Sequence, residues 1–346
     1  MKERFDTIII GAGPAGTACG FLLKKRGVDC VVIDRAVFPR DKICGGGLTP
    51  RCYWLLNEIF PELAYEYNAV NRIKLYINGR QRLDFEAEKE IRITQRKLFD
   101  KCLLDEYLRI GGVFVNDALN GIEDTADGVV VKLRSGRQMT CNHLVGADGA
   151  NSRVRKYLAG TPKLRMLCVE KYLPRTSENS IVGSIANHYG VGYFYVFPNK
   201  DYNVVGYGNL DASKVDLDKV TAEMQAAGVN ITPSDARLKG AYIPIDTNYP
   251  LNDRILLIGD AGGFPNKVSC EGIYFALLTA RNAAHAIADG IPFSKTNADV
   301  FRKKKMEERV LRVFYSRFGL WLLTVGCRWF PKLITRVFNK QVTGCF

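Results

Sequence analysis

The stretch FDTIIIGAGPAGTACGFLLKKRGVDCVVID, residues 5–34, constrains this chain more than any other. Thr7-Ile8-Ile9-Ile10 is a β-branched run that reads as a buried strand, and it leads directly into Gly11, Gly13 and Gly16. A helix is expected from Pro14 and Ala15 to Arg26, with Ala18, Phe21 and Leu22 on one face and Gly27 as its stop. Cys30-Val31-Val32-Ile33 is a second apolar run, and it ends in Asp34. Strand, tight turn, helix and strand, with an acid about 20 residues past the glycines, is the pattern of a dinucleotide-binding unit. Gly11 would permit the turn, Gly13 would let a pyrophosphate approach the backbone, and Gly16 would let helix and strand pack closely. The helix N-terminus would aim unpaired N–H groups at the anion, and Asp34 would accept ribose hydroxyls. The stretch leaves FAD and NAD(P) both open.

The chain has 346 residues, 47% of them hydrophobic and 25% charged, which suits a large core in one large domain or two. Ten cysteines without a C-x-x-C pair argue against a zinc site and a disulfide framework. Free thiols in a reducing cytoplasm are the better reading. His143, His188 and His285 have no ligand spacing, so no metal is expected. Met1-Lys2-Glu3-Arg4 leaves no room for a signal peptide before the first strand, and Cys345 does not form a prenylation box. The net charge is +13, and eleven Lys/Arg against Glu307 and Glu308 lie from Phe301 onward. That asymmetry points to a surface partner for the tail and away from nucleic acid.

Phe38 to Leu48 carries Lys42, Cys44 and the run Gly45-Gly46-Gly47, a loop whose backbone takes positive φ or is closely approached. Lys42 beside Cys44 would favour the thiolate; the bland reading is a flexible connector. Pro50 to Phe60 reads as a helix. Ile73 to Ile77 and Arg82 to Phe85 alternate around the turn Asn78-Gly79 and leave the βαβ pattern for a second domain. Arg96 opens a helix to Leu108, and short strands follow to an apolar run that ends before Asp148-Gly149. Residues 162–244 read as an open antiparallel sheet. Arg254 to Ile258 is again an apolar strand, ending in Gly259-Asp260, and Gly272-Ile273 opens a helix through Ala288. Asp260 would bind a ribityl or ribose hydroxyl, and the helix would aim its positive end at a negative group.

In the tail, Val310 to Val325 and Trp329 to Phe338 follow helical spacing with a break expected near Gly326 and Pro331. The longest uncharged run, Phe318 to Cys327, falls short of the roughly 20 residues that span a bilayer. Basic residues flanking Trp and Phe suit an interfacial helix; the alternative is a helical pair packed on the dinucleotide domain.

The three stations together, Gly11 to Asp34, Asp148-Gly149 and Gly259-Asp260, resemble the FAD-binding fold of the p-hydroxybenzoate hydroxylase type. Pro39 to Leu48 resembles the loop of the geranylgeranyl reductase family, and Tyr193-Phe194-Tyr195-Val196-Phe197-Pro198 is similar to that family's Y-x-W-x-F-P. Tyr195 stands where that family has Trp, and Lys267-Val268-Ser269-Cys270-Glu271-Gly272-Ile273 replaces P-x-x-G-E-G-I.

The resemblance implies an α/β fold, an interrupted Rossmann-like FAD-binding domain (1–70, 92–160 and 250–299). A second antiparallel β-sheet substrate domain (71–91 and 161–249) and a C-terminal helical tail (300–346) complete it. It implies FAD held by Gly11, Gly13, Pro14, Ala15, Gly16, Asp34, Arg35, Lys42, Cys44, Gly45, Gly46, Arg96, Asp148, Gly259, Asp260, Gly272 and Ile273. Cys44, Tyr193 and Tyr195 would be catalytic, any of them serving as proton donor. Tyr193, Tyr195, Phe197 and Pro198 would line the substrate. The expected activity is reduction of carbon–carbon double bonds in an apolar, isoprenoid lipid, with NAD(P)H or a reduced carrier protein as external electron donor. The tail would meet an anionic membrane surface from the cytoplasm. Two alternatives stand beside it: a flavin monooxygenase of an aromatic or polyketide, and a membrane-surface flavoprotein that binds lipid without turnover.

Overall fold

The β-branched runs of the N-terminal stretch become parallel neighbours at the centre of the first of two sheets. The structure, a computed structural model, describes residues 3–232 and 234–343, so Met1-Lys2 and Cys345 lie outside the described residues. In chain order the elements open with β1 (Arg4–Ile10), α1 (Pro14–Lys25), β2 (Cys30–Asp34), β3 (Gly47–Leu48), α2 (Pro50–Ile59), β4 (Asn68–Ile77) and β5 (Arg80–Ile93). They continue through α3 (Arg96–Arg109), β6 (Val113–Asn116), β7 (Leu119–Thr125), β8 (Gly128–Leu133), β9 (Gln138–Gly146) and α4 (Arg153–Ala159). Next come β10 (Arg165–Pro174), β11 (Ser180–Ile185), β12 (Gly192–Pro198), β13 (Tyr202–Asn209), α5 (Leu217–Ala226), β14 (Lys239–Pro244) and β15 (Ile255–Leu257). The last helices are α6 (Ile273–Asp289), α7 (Phe293–Thr296), α8 (Ala298–Phe314), α9 (Arg317–Trp329) and α10 (Pro331–Thr343).

The first sheet runs β6-β2-β1-β9-β8-β7, and β15 also pairs with β9. Strands β6, β2, β1, β9 and β15 are parallel. Strand β9 is shared along its length, its first half pairing with β8 antiparallel and its end with β15. Both faces are buried, which explains why these strands read as continuous apolar runs. Ile9, Val32 and Val145 face α1, α3 and α6, whereas Ile8, Ile10 and Leu144 face the cluster around Val129, Met139 and Val154.

The second sheet runs β14-β10-β13-β12-β11-β4-β5-β3. It departs from the antiparallel expectation at one place, since β11 pairs with β4 in parallel. That pair splices the hairpin of residues 68–93 to the later strands, so the sheet is continuous across a long insertion. The hairpin is also longer than its alternating core, because β5 continues to Ile93 and receives Gly47-Leu48 of the glycine loop on its free edge.

The tail differs most from expectation. Its first break lies at Tyr315-Ser316, where the Ser316 hydroxyl caps α9 by accepting Gly319 N–H at 3.0 Å. Helices α8 and α9 meet at 84° there. Gly326 lies inside α9 and lets Ile334 of α10 approach, while Pro331 opens α10. One side of the tail packs on the second sheet, where Leu311, Leu320 and Cys327 cluster with Ile77 and Leu83, and Phe338 meets Phe85 at 5.4 Å. Helix α8 also packs on the first domain's side, with Phe301 against Phe264 and the Lys304 ammonium over the Phe275 ring at 3.3 Å.

Glu307 is the knot of that attachment. Its carboxylate accepts Lys304 Nζ at 2.8 Å, Asn266 Nδ2 at 2.8 Å and Lys267 N–H at 3.1 Å. Lys304 is fully buried, and burial lowers its pKa to about 8 against the pull of Glu307. Removing one partner of a buried pair strands the other charge, at a cost of about 3–5 kcal/mol. Glu307→Ala is therefore expected to lose about that much stability in denaturant unfolding, and a loss within the range of an exposed pair, below about 1 kcal/mol, would reject the role.

Candidate active site

The site is built where the ends of β1, β2, β9 and β15 meet the N-termini of α1 and α6. Gly11 has φ +107°, and a Cβ there would lie 2.3 Å from Ala147 O. A Cβ on Gly16 would lie 1.8 Å from Gly11 O. These two glycines hold the helix against the strand ends. Gly13 is different, because a Cβ there would meet only Arg40 Nη2, at 3.5 Å. Gly13 caps α1 without a side-chain bond and Pro14 has no N–H, so the first-turn N–H groups of Ala15 and Gly16 have no helical partner. The cradle over Gly13 is one that a side chain would fill, and it fits a pyrophosphate.

The charges beside it suit an anion. Asp100 is fully buried and accepts the Arg96 fork at 2.7 and 2.8 Å, with Arg40 Nη2 at 3.2 Å. Two guanidinium groups share one carboxylate, which leaves a net positive charge by the α1 N-terminus. Burial opposes the Arg96 charge, but Asp100 and Cys44 outweigh it and hold its pKa above the ordinary value. Arg40 is the residue that sequence reading left out of the site; its signal was a guanidinium within the loop already singled out. Asp34 accepts Ala12 N–H at 2.7 Å and Ala36 N–H at 2.8 Å, one on each oxygen, so each retains acceptor capacity. Arg35 is exposed next to it.

At the second helix terminus, Gly259 has φ +55° and its added Cβ would lie 3.0 Å from Ala15 Cβ, which brings the α1 and α6 ends together. Gly272 caps α6 without a side-chain bond, and its added Cβ would lie 3.5 Å from Asp260 Oδ1. Ile273 is buried in the core, so it enters through its place in the first turn and not through its side chain. Glu271 accepts Thr49 Oγ1 at 2.5 Å and pairs with Arg51, fixing the approach to the helix. Cys270 has φ +55°, a conformation that costs a non-glycine residue strain. Burial pushes its thiol up to about 12, which makes it a poor nucleophile. Asp148 accepts Ser152 Oγ at 2.5 Å and Arg153 N–H at 2.7 Å, so its carboxylate caps α4.

Lys42 does not serve Cys44 as expected: its ammonium lies 3.7 Å from Asp260, and the cation beside Cys44 is Arg96. Cys44 is half-buried, its sulfur accepting Gly46 N–H at 3.4 Å. The close approach that the glycine run demands is to the protein's own second sheet. A Cβ on Gly45 would lie 2.2 Å from the Phe197 ring, and one on Gly46, at φ +74°, would lie 2.0 Å from Thr94 O. The loop therefore rests on the aromatic strand at Phe197.

Tyr193, Tyr195 and Phe197 alternate onto one face of β12, with ring centroids 5.6 and 5.1 Å apart, and Pro198 is buried at its end. Tyr193 Oη donates to Ser269 O at 3.2 Å. Tyr195 Oη donates to Glu170 Oε1 at 2.6 Å. Burial raises both phenol pKa values well above the ordinary one. Glu170 escaped sequence reading, since a lone acid in an alternating strand looks like a solvated residue.

The family model described as FAD binding domain matches residues 4–180. The chain is 26% identical to the chloroplastic geranylgeranyl diphosphate reductase of Nicotiana tabacum, over 90% of this chain and 72% of that one. It is 28% identical to the menaquinone reductase of Mycolicibacterium smegmatis, over 84% and 78%. Among solved structures, the flavin-dependent brominase Bmp2 aligns with TM-score 0.74 at 19% identity, over 99% of this chain and 94% of that one. A geranylgeranyl bacteriochlorophyll reductase-like protein of Thermoplasma acidophilum aligns at 0.71 and 16%, over 99% and 92%. Both structural likenesses show the fold alone.

Filling the Gly13 cradle tests the assignment. A valine there displaces the anion from charged donors worth roughly 1.5–3 kcal/mol each, so FAD should bind roughly ten- to a hundredfold more weakly. Gly13→Val protein that retains full flavin absorbance after gel filtration would reject the cradle.

Proposed function

Since the chain belongs to the FAD binding domain family, as an FAD-dependent oxidoreductase of the geranylgeranyl reductase kind, we propose that it reduces carbon–carbon double bonds of an isoprenoid lipid. The observation that carries the reading is the aromatic ladder Tyr193-Tyr195-Phe197, lying against the Cys44-Gly45-Gly46 loop at the mouth of the nucleotide site. Neighbouring tilted rings offer an apolar chain dispersion contacts and few competing polar groups. The relatives named for geranylgeranyl diphosphate and menaquinone both act on molecules with prenyl chains.

FAD, reduced by an external donor such as NAD(P)H or a carrier protein, supplies the hydride. The protein supplies position and charge. The α1 N-terminus and Arg40 hold the pyrophosphate, and Asp34 holds a ribose hydroxyl. Asp260 and the α6 N-terminus lie where a ribityl chain and a negative ring edge would be stabilised. An isolated alkene accepts a hydride poorly unless its other carbon gains a proton, so a hydroxyl or thiol of the ladder and loop must donate one.

The tail gives the lipid a route. Its outward side exposes Phe318, Trp321 (58%), Trp329 (67%) and Phe330, interleaved with exposed Arg317, Arg328 and Lys332. No single helix among the described residues is long and apolar enough to cross a membrane. An apolar stripe rimmed by cations suits peripheral docking on an anionic surface, each cation contributing about 1 kcal/mol.

Two measurements follow. Photoreduced enzyme mixed without oxygen with geranylgeranyl diphosphate or menaquinone should regain oxidised-flavin absorbance and yield lipid heavier by two hydrogens. Oxidation that instead needs O2 and adds an oxygen atom would replace the reductase with a monooxygenase. Changing Phe318, Trp321, Trp329 and Phe330 together to serine should abolish sedimentation with anionic liposomes while FAD remains bound. Unchanged sedimentation would remove the membrane role and leave the tail as packing alone.

A further inference from the structure

Three strands of the second sheet place Tyr195, Gly206 and Glu170 side by side. Tyr195 of β12 is paired with Gly206 of β13, and Gly206 is paired with Glu170 of β10. A Cβ on Gly206 would lie 2.2 Å from the Tyr195 ring, so only glycine lets the phenol lie flat across β13. The phenol thereby reaches an acid two strands away, 2.6 Å from Glu170 Oε1.

Glu170 is 2% exposed, and its Oε2 is buried with no hydrogen-bond partner. A carboxylate in such a place needs a cation, and the two nearest are committed elsewhere. Lys42 lies on Asp260, and the Arg96 fork is on Asp100. Burial with one orphan oxygen, and with both cations held by other carboxylates, disfavours the charged form and raises the acid's pKa. Protonated on Oε1, it reverses the direction of this 2.6 Å contact, donating to Tyr195 Oη and leaving the phenol proton free to be given up.

We propose that Tyr195 is the group that protonates the substrate carbon and that Glu170 reloads it. The inference rests on the reductase reading and identifies its proton donor. In the step, the alkene gains a hydride from reduced FAD at one carbon. Its π pair takes the Tyr195 proton at the other carbon, and the Oη–H bond breaks. Glu170 gives its carboxyl proton to Oη and regains one from water, so the enzyme ends as it began.

The other candidates are less suited. The Tyr193 proton is engaged by the Ser269 carbonyl, with no acid behind it to replace it. The Cys44 thiol meets the Gly46 N–H and the Arg96 guanidinium, and no acid that could reload it. Burial raises the Glu170 pKa, against the Tyr195 hydroxyl, the Cys44 N–H, Lys42 and Arg96, which lower it. Cys168, Tyr172 and Tyr202 also face it from β10 and β13. All three are neutral at ordinary pH, so Lys42 and Arg96 are the permanent charges that set its titration.

The test uses photoreduced holoenzyme, with geranylgeranyl diphosphate and menaquinone as anaerobic oxidants, across a pH series. The protonated form of Glu170 is the competent one, so wild-type reoxidation should be fast at low pH and fall as pH rises through its raised pKa. Tyr195→Phe should be slower by about 10² or more, the contribution of a general acid. Glu170→Gln should be slower at low pH and lose the falling limb, and both variants should keep wild-type FAD content. A purely structural Glu170 would change the rate without removing the limb.

Infrared spectra supply a readout independent of turnover. At pH values below the falling limb the wild type should show a protonated-carboxyl band, shifted in D2O, that Glu170→Gln lacks. Wild-type rates and limb in Glu170→Gln, or no band lost in that variant, overturn the proposal. If neither lipid reoxidises the wild type, the reductase reading falls and delivery to an alkene falls with it; the band still decides separately whether Glu170 stores a proton.

Discussion

The contact between Gly11 and the backbone at Ala147 is the constraint on which the rest depends. No other residue fits there, because an added Cβ would overlap the Ala147 carbonyl and the φ of +107° disfavours a side chain. Closing that turn aligns the end of β1 with the end of β9, and Gly16 then seats α1 against both. The open cradle at Gly13 is a consequence of this geometry. Two glycines are consumed by packing so that the third, between them, faces an anion.

Charge in the site is distributed by pairing. Asp100 neutralises one of two arginines, leaving the other to favour a phosphate, while Asp260 takes Lys42. Lys42 and Arg96 are each held by another carboxylate, so the same pairing that makes one end of the site attractive to anions leaves burial free to raise the pKa of Glu170 at the other.

The tail is two-sided. Its buried side is fastened by Glu307 and by apolar contacts to the second sheet, while its outward side keeps the aromatic and basic residues that no part of the fold covers. The 84° bend at Ser316 divides it into helices of which none, among the described residues, is long and apolar enough to cross a membrane.

The sequence by itself determined the nucleotide half. Local spacing suffices there, because strand, glycine turn, helix and terminal acid lie within thirty residues and each glycine has a backbone reason to be where it is. The aromatic ladder was also legible, since alternation places Tyr193, Tyr195 and Phe197 on one face. What only the tertiary structure decided concerns partners distant in sequence. Lys42 turned to Asp260 and not Cys44, Asp148 to the helix after it, Gly45 to Phe197, and the tail broke at a serine cap in addition to the break expected at Pro331. Glu170 became part of the site only because register set it across a glycine from Tyr195, 25 residues along the chain. Pairing across strands is fixed by the whole sheet, and no local pattern carries it.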